Sequence, residues 1–269
     1  MPLGFAVGAF GTLVGAGGGF VLVPILLLIY PDEEAKTITA MSLFVVLANA
    51  VSGSLAYARQ RRIDYRSGGW FALSTLPGAV AGAVVVGYIP RALFDAIFAL
   101  TLTALGTFLV LRSGFQAIQP PVTGRGVIQR LITDRYGNTF SYSFQLWRGI
   151  AFSGAIGFVS SLLGIGGGVI HVPVMTTVLH FPIHIATATS QFVLAFMAAE
   201  GTAVHLLSGT LSPDNGLGRA ILLAVGAIPG AQLGAFVARR VHSRVISRAL
   251  AVALVIVGLR LGLKAAGVV

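Results

Sequence analysis

Cysteine is absent from this chain of 269 residues, so disulfides, thiol chemistry and cysteine-held metal sites are excluded. Acidic residues are scarce: Asp and Glu together number 8, and charged residues of both signs make up only 10%. A soluble domain carries about 25%. With 56% hydrophobic residues, a water-exposed globule of this size could not hide its apolar surface, so lipid must solvate much of it. Stacking aromatics do not interleave with any basic stretch, which sets nucleic acid aside as a partner despite a net charge of +10. The apolar sequence starts at Met1 without a basic leader or a following cleavage site, so no signal peptide is expected.

What is present is apolar length. Eight segments approach the ~20 residues that a bilayer core requires. They are Leu3 to Tyr30, Thr37 to Ala58, Gly68 to Ile89, Leu93 to Leu111, Trp147 to Leu179, Ile185 to Leu207, Gly216 to Ala238 and Val245 to Leu263. The reading is an all-α polytopic protein of the cell (inner) membrane, with the lipid bilayer as solvent. Residues 113–146 form the one long polar stretch, with Pro120, Pro121, Gly124 and Gly126. From Val127 to Phe144 it alternates apolar and polar residues around Asp134 to Asn138, which predicts an extramembrane β-hairpin.

That linker separates two halves, 1–112 and 147–269, that repeat. Gly15, Gly17, Gly18 and Gly19 with Val23-Pro24 match Gly164, Gly166, Gly167 and Gly168 with Val172-Pro173 at an offset of 149. Thr39-Ala-Met-Ser42 matches Thr187-Ala-Thr-Ser190 at 148, and Pro77-Gly-Ala-xx-Gly82 matches Pro229-Gly-Ala-xx-Gly234 at 152. Repeated halves with glycine-interrupted segments in matching places mark secondary carriers. Eight plain spans would make the halves parallel and put the turn at Arg239, Arg240, Arg244 and Arg248 outside. If the first segment of each half is instead re-entrant, the repeats are inverted. That turn, the basic loop at Arg59, Arg61, Arg62 and Arg66, and the linker are then all cytoplasmic, as short basic loops should be, and Asp32 to Glu34 lie outside. The inverted arrangement is the expectation, although ~27 helical residues could also span once.

The glycine clusters are the leading site. Three glycines in succession unwind a helix, and unwound backbone at membrane depth belongs where it is buried or lines a cavity. The arms restarting at Phe20 and Val169 would present free N–H groups and positive dipole ends to an anion. Close helix packing is the competing role for these glycines, and for Pro77-Gly and Pro229-Gly it is the preferred one. A following Lys-Ser/Thr is missing, so they are not a P-loop, and Phe20 and Val169 occupy the position where a dinucleotide fingerprint needs glycine. Thr37, Thr39 and Ser42, and Thr187, Thr189, Ser190 and Gln191, could donate to an oxyanion or act as interhelical glue. Glu200, His171 and His205 are ionisable residues inside apolar segments and so functional candidates. His171 is assigned to substrate binding, Glu200, His205 and Asn49 to gating or proton coupling. Asn49 and Gln232 could equally bridge helices. No nucleophile motif or metal-ligand spacing is found, so neither an enzyme nor a cofactor or metal site is expected.

Together the Gly-x-Gly-Gly-Gly…Val-Pro, Thr-Ala-x-Ser and Pro-Gly-Ala-xx-Gly blocks resemble the TauE/SafE sulfite exporter family, also called the toluene sulfonate uptake permease family. The resemblance covers both halves. It implies movement of sulfite, sulfonates or related sulfur-containing anions across the inner membrane, passively or coupled to a proton or cation. It places motif positions at Gly15, Gly17, Gly18, Gly19, Pro24, Ser42, Gly164, Gly166, Gly167, Gly168, Pro173, Thr189 and Ser190. Met41 stands where the second half has Thr189, so the two half-sites are unequal. An anion channel and a membrane anion sensor are the rival functions. The particular anion, the direction of transport and the oligomeric state are not legible in these residues.

Overall fold

The structure, a computed structural model, describes residues 1–112 and 126–265. Pro120, Pro121 and Gly124 of the linker therefore lie outside the described residues. The first predicted segment is two helices, Pro2–Val14 (α1) and Gly19–Ile29 (α2). Ala35–Arg59 (α3) and Tyr65–Val85 (α4) follow, and a 3-10 turn over Val86–Tyr88 leads to Arg91–Arg112 (α5). Strands Val127–Thr133 (β1) and Thr139–Gln145 (β2) form the hairpin. The second half repeats the order with Leu146–Leu163 (α6), Gly168–Thr177 (α7), Ile183–Leu207 (α8), Leu217–Ala238 (α9) and Ser243–Ala265 (α10).

Among the described residues six helices are long and apolar enough to cross a membrane: α3, α4 with its 3-10 turn, α5 as far as Phe108, α6, α8 and α9. At ~1.5 Å per residue, the 13, 11 and 10 residues of α1, α2 and α7 fall short of a hydrocarbon core of ~30 Å. Leu55, Trp70, Leu73, Leu100, Leu222 and Ile256 are exposed on the outside of the bundle, as a lipid-facing surface requires.

Small residues decide which helices touch. Gly226, Gly230 and Gly234 of α9 lie directly on the backbone of Met1, the N-cap of α1, and of Phe5 and Ala9 within it. In the same way Gly78 and Gly82 of α4 lie on Gly154 and Phe158 of α6. Backbones approach this closely only where Cβ atoms are missing, so the Pro-Gly-Ala-xx-Gly blocks do serve packing. Each pair joins one half to the other. In both pairs the numbers rise together, so the paired helices run the same way.

The hairpin is antiparallel from Val127↔Gln145 to Thr133↔Thr139. Its apolar face does not lie free: Tyr142 and Phe144 bury against Phe71 of α4, Met175 of α7, Phe181 and Ile185. Its turn is clamped as well. Asp134 accepts from the backbone N–H groups of Tyr136 and Asn138 and from the Arg62 guanidinium at 2.8 Å, while Arg239 donates to the Tyr136 hydroxyl. The α3–α4 loop, the hairpin and the last turn of α9 thus meet at one end of the bundle. At the other end Arg219, beginning α9, pairs with Glu33 at 2.7 Å, and Arg91, beginning α5, donates to the Glu33 carbonyl.

Candidate functional site

Both glycine clusters are turns that end one helix and start the next. Gly15, at φ 76°, closes α1 in the left-handed region, and Gly164, at φ 67°, closes α6. An added Cβ would lie 2.7 Å from Thr187 at the first position and 2.9 Å from Thr39 at the second. Both the torsion and the approach therefore require glycine. Gly18 and Gly167 are the N-caps of α2 and α7.

The two turns fold against each other. Gly19, the first residue of α2, abuts the Gly164 and Ile165 carbonyls, and Gly168, the first of α7, abuts the Gly15 carbonyl and Ala16. Gly17 and Gly166 both press on Val46 of α3 and Leu194 of α8. A helix ending in mid-bundle leaves orphan carbonyls, and here the opposite half satisfies them. The Ser42 hydroxyl donates to Gly164 O at 2.7 Å, and the Ser190 hydroxyl donates to Gly15 O at 3.0 Å.

The structure thus brings together Gly15, Gly17, Gly18, Gly19, Gly164, Gly166, Gly167 and Gly168 with Thr39, Ser42, Thr187 and Ser190. Most of the hydroxyls make the interhelical or back-bonding contacts that the sequence reading held as the alternative to oxyanion donation. Those of Ser42 and Ser190 are engaged by turn carbonyls, and Thr187 donates to His184 O. Thr39 Oγ1 is buried without a partner among the described residues. Thr189 sits apart from the turns, its Oγ1 accepting the Asp64 backbone N–H at 3.0 Å.

His171 is buried, its Nε2 2.9 Å from the Ser153 hydroxyl and its ring beside Gly167. Gln191 donates to Gly11 O, and Asn49 accepts from Thr12. Glu200 and His205 belong to α8, 9 and 14 positions beyond Gln191, and Glu200 follows by three positions Met197, whose sulfur faces Gly167 of the second turn. Glu200 Oε2 and His205 Nε2 are buried without a partner among the described residues. Gln232 bridges to Ser52.

Three groups escaped the sequence reading. Thr12 and Ser153 were hidden because a lone hydroxyl in an apolar helix carries no pattern. Thr12 had one signal, in that Ser161 stands at the same place before the second cluster. The third group centres on Asp64, which N-caps α4 through Ser67 and accepts from the Tyr142 hydroxyl at 2.8 Å, with Arg130 at 3.3 Å. Burial and the Asp64 charge push the Tyr142 phenol well above the ordinary tyrosine range. Asp134 shows the opposite balance. Burial opposes its charge, but hydrogen bonds from Asn138 and Arg62 hold its carboxyl below the usual carboxylate range.

Comparison with known proteins agrees with this architecture. The family model described as "Sulfite exporter TauE/SafE" matches residues 1–261. The chain is 33% identical to "Probable membrane transporter protein YunE" of Bacillus subtilis (strain 168), over 88% of this chain and 86% of that one. It is 26% identical to "Probable membrane transporter protein MJ0441" of Methanocaldococcus jannaschii, over 86% and 82%. A Haemophilus influenzae protein of the same description is 28% identical over 64% and 58%. No solved structure matches. A bundle of apolar helices joined through paired glycine turns, matched over nearly its whole length, belongs to the TauE/SafE sulfite exporter family of membrane transporters.

Proposed function

We propose that this transporter is a secondary carrier for a small sulfur-containing anion, such as sulfite or an organosulfonate, working by alternating access around the paired glycine turns. The observation that carries the reading is the reciprocal bonding of Ser42 to Gly164 and of Ser190 to Gly15. Each half holds the broken helix of the other, so a rocking motion of the halves must act on both turns at once. The repeats in this reading are residues 1–112 and 147–269, inverted, with α1–α2 and α6–α7 re-entrant from opposite faces. The meeting of Arg62, Asp134 and Arg239 at one end supports a common cytoplasmic side for both Arg-rich loops and the hairpin of 113–146. The membrane is the cell (inner) membrane, and Glu200, His171 and His205 are the groups available to couple a proton.

The test is flux in proteoliposomes. Labelled sulfite or sulfonate should enter and should be accelerated by unlabelled anion on the opposite side. A conductance without such trans-stimulation would make the protein a channel, and binding without flux a sensor. Gly18→Leu or Gly167→Leu should abolish uptake while the protein still inserts and elutes as a single species. Unchanged transport in both variants would remove the turns from the mechanism.

A further inference from the structure

The repeat lets the two ends of the bundle be compared residue by residue. In its register Tyr57, Gln60 and Thr189 correspond to His205, Ser208 and Met41, and Asp64, the N-cap of α4, corresponds to Gly216, the N-cap of α9. The first set lies at the end that carries the hairpin, the second at the end that carries Glu33 and Arg219. Every position of the first set is bonded to another element. The Tyr57 hydroxyl donates to Thr12 O of α1 at 2.8 Å, and Gln60 Nε2 donates to Ala235 O of α9 at 3.0 Å. The Asp64 N–H donates to Thr189 Oγ1 of α8, and the Asp64 carboxylate accepts from Tyr142 of the hairpin. Tyr57, Gln60, Asp64 and Thr189 are all buried.

The second set makes none of these bonds. His205 Nε2 is buried without a partner among the described residues. The Ser208 hydroxyl stays within its own turn, bonded to His205 O and Thr210. Gly216 lies against the Met41 thioether, which accepts hydrogen bonds only weakly. A polar cavity of about 460 Å³ opens at this end, lined among others by Thr37 of α3, Ser208 and Thr210 after α8, and Asn215 before α9. The Glu33–Arg219 pair does cross this end, but it is exposed, and an exposed ion pair adds little.

Two equivalent ends in unequal states are what one conformer of an alternating carrier presents. We propose that the structure is the conformer closed at the hairpin end and open at the other, and that the Asp64–Thr189 bond, braced by Tyr142, is the latch that keeps it closed. Opening the hairpin end breaks that bond. Thr189 adjoins Ser190, whose hydroxyl holds Gly15 O, so release of the latch reaches the first glycine turn through a single step of α8. Asp64 and Thr189 are thus positioning residues for transport: they set which face is open and touch no substrate. This deepens, and rests on, the carrier reading above, whose sidedness makes the conformer outward-facing.

Because the chain has no cysteine, introduced thiols report access without background. Ala188, one position before Thr189, is buried in one cluster with Tyr57, Ile63, Ala235 and Ala238, whereas Thr37 lines the cavity at the other end. Ala188→Cys and Thr37→Cys, each in the full chain, are reacted with a membrane-impermeant methanethiosulfonate, the first from the hairpin face in inside-out vesicles and the second from the opposite face in right-side-out vesicles. With the latch intact, Thr37→Cys should react faster than Ala188→Cys. Thr189→Val keeps the shape and removes the acceptor, so the Ala188→Cys rate should rise roughly tenfold, the shift that one lost buried hydrogen bond brings. The Thr37→Cys rate should not rise, and it should fall when Tyr142→Phe is added. Thr189→Ser, which keeps the hydroxyl, should restore the starting rates. Tyr142→Phe alone should raise the Ala188→Cys rate in the same sense and serves if Thr189→Val does not fold. A rise at both positions would make the bond a general strut, and an unchanged Ala188→Cys rate would remove it from gating. Either result overturns the proposal and leaves the carrier reading standing where the unaltered chain shows trans-stimulated exchange of labelled sulfite. Absence of that exchange would instead sink the carrier reading on which the latch rests.

Discussion

The Ser42 hydroxyl donates to the carbonyl oxygen of Gly164, 122 positions along the chain, at 2.7 Å. Ser190 returns the same bond to Gly15 at 3.0 Å. Both serines are fully buried, so each bond replaces water that cannot reach an orphan helix-end carbonyl. Ser42→Ala or Ser190→Ala should each cost about 1–3 kcal/mol, the penalty for an unsatisfied buried acceptor. In detergent, thermal unfolding should show a lowered midpoint for both single variants. A midpoint unchanged in both would mean that the turn carbonyls find other partners.

Gly164→Ala and Gly15→Ala should be worse than the serine changes. Each puts a Cβ on a left-handed residue and within 3 Å of a threonine on the opposite half. Left-handed strain alone costs about 1–3 kcal/mol, and the clash must push the halves apart. Gly218→Ala is the control, because among the described residues nothing lies within 4 Å of its added Cβ and its helix gains a better former. Unfolding midpoints should fall sharply for the first two variants and hold or rise for the third.

How much of this was visible beforehand follows from the range of the interactions. The glycine breaks were legible because unwinding is a local backbone property that no neighbour needs to supply. The hairpin was legible because its alternation and its Asp-x-x-Gly-Asn turn lie within 18 residues, and β1 and β2 formed within one residue of those bounds. The partners of Ser42 and Ser190 were not legible, because they lie 122 and 175 positions away and serine–carbonyl bonds leave no sequence pattern. The seat of the hairpin was hidden for the same reason: Tyr142 and Phe144 read as one face of an extramembrane strand, with nothing to show that Asp64 and Phe71 receive them.

The Arg62–Asp134 pair clamps the hairpin turn and is almost wholly buried. Breaking one side leaves an uncompensated charge, so Asp134→Ala should cost about 3–5 kcal/mol, whereas Arg62→Met with Asp134→Leu should recover part of that. The loss is local to the hairpin, which limited proteolysis would report as cleavage between Gly126 and Gln145. If the double variant is cut as fast as Asp134→Ala, the pair's charge balance is not what holds the turn.

Acid should release the same clamp. The Asp134 carboxyl lies below its ordinary range when folded, because the hydrogen bonds from Asn138 and Arg62 outweigh its burial. A carboxylate with a depressed folded pKa binds more protons in the released state. Its contribution is therefore complete above the unfolded value, about 3.9, and is lost as pH falls through the lower folded value. Hairpin protection should thus be flat from neutral pH down to about 4 and then decline. Asp134→Asn should lack that acid step and start from a lower plateau, since the amide keeps the shape but not the charge that Arg62 faces. Hydrogen exchange at the amides of Tyr136 and Asn138, whose N–H groups point at this carboxyl, measures the step directly. A decline already under way near neutral pH would place the controlling proton on another group.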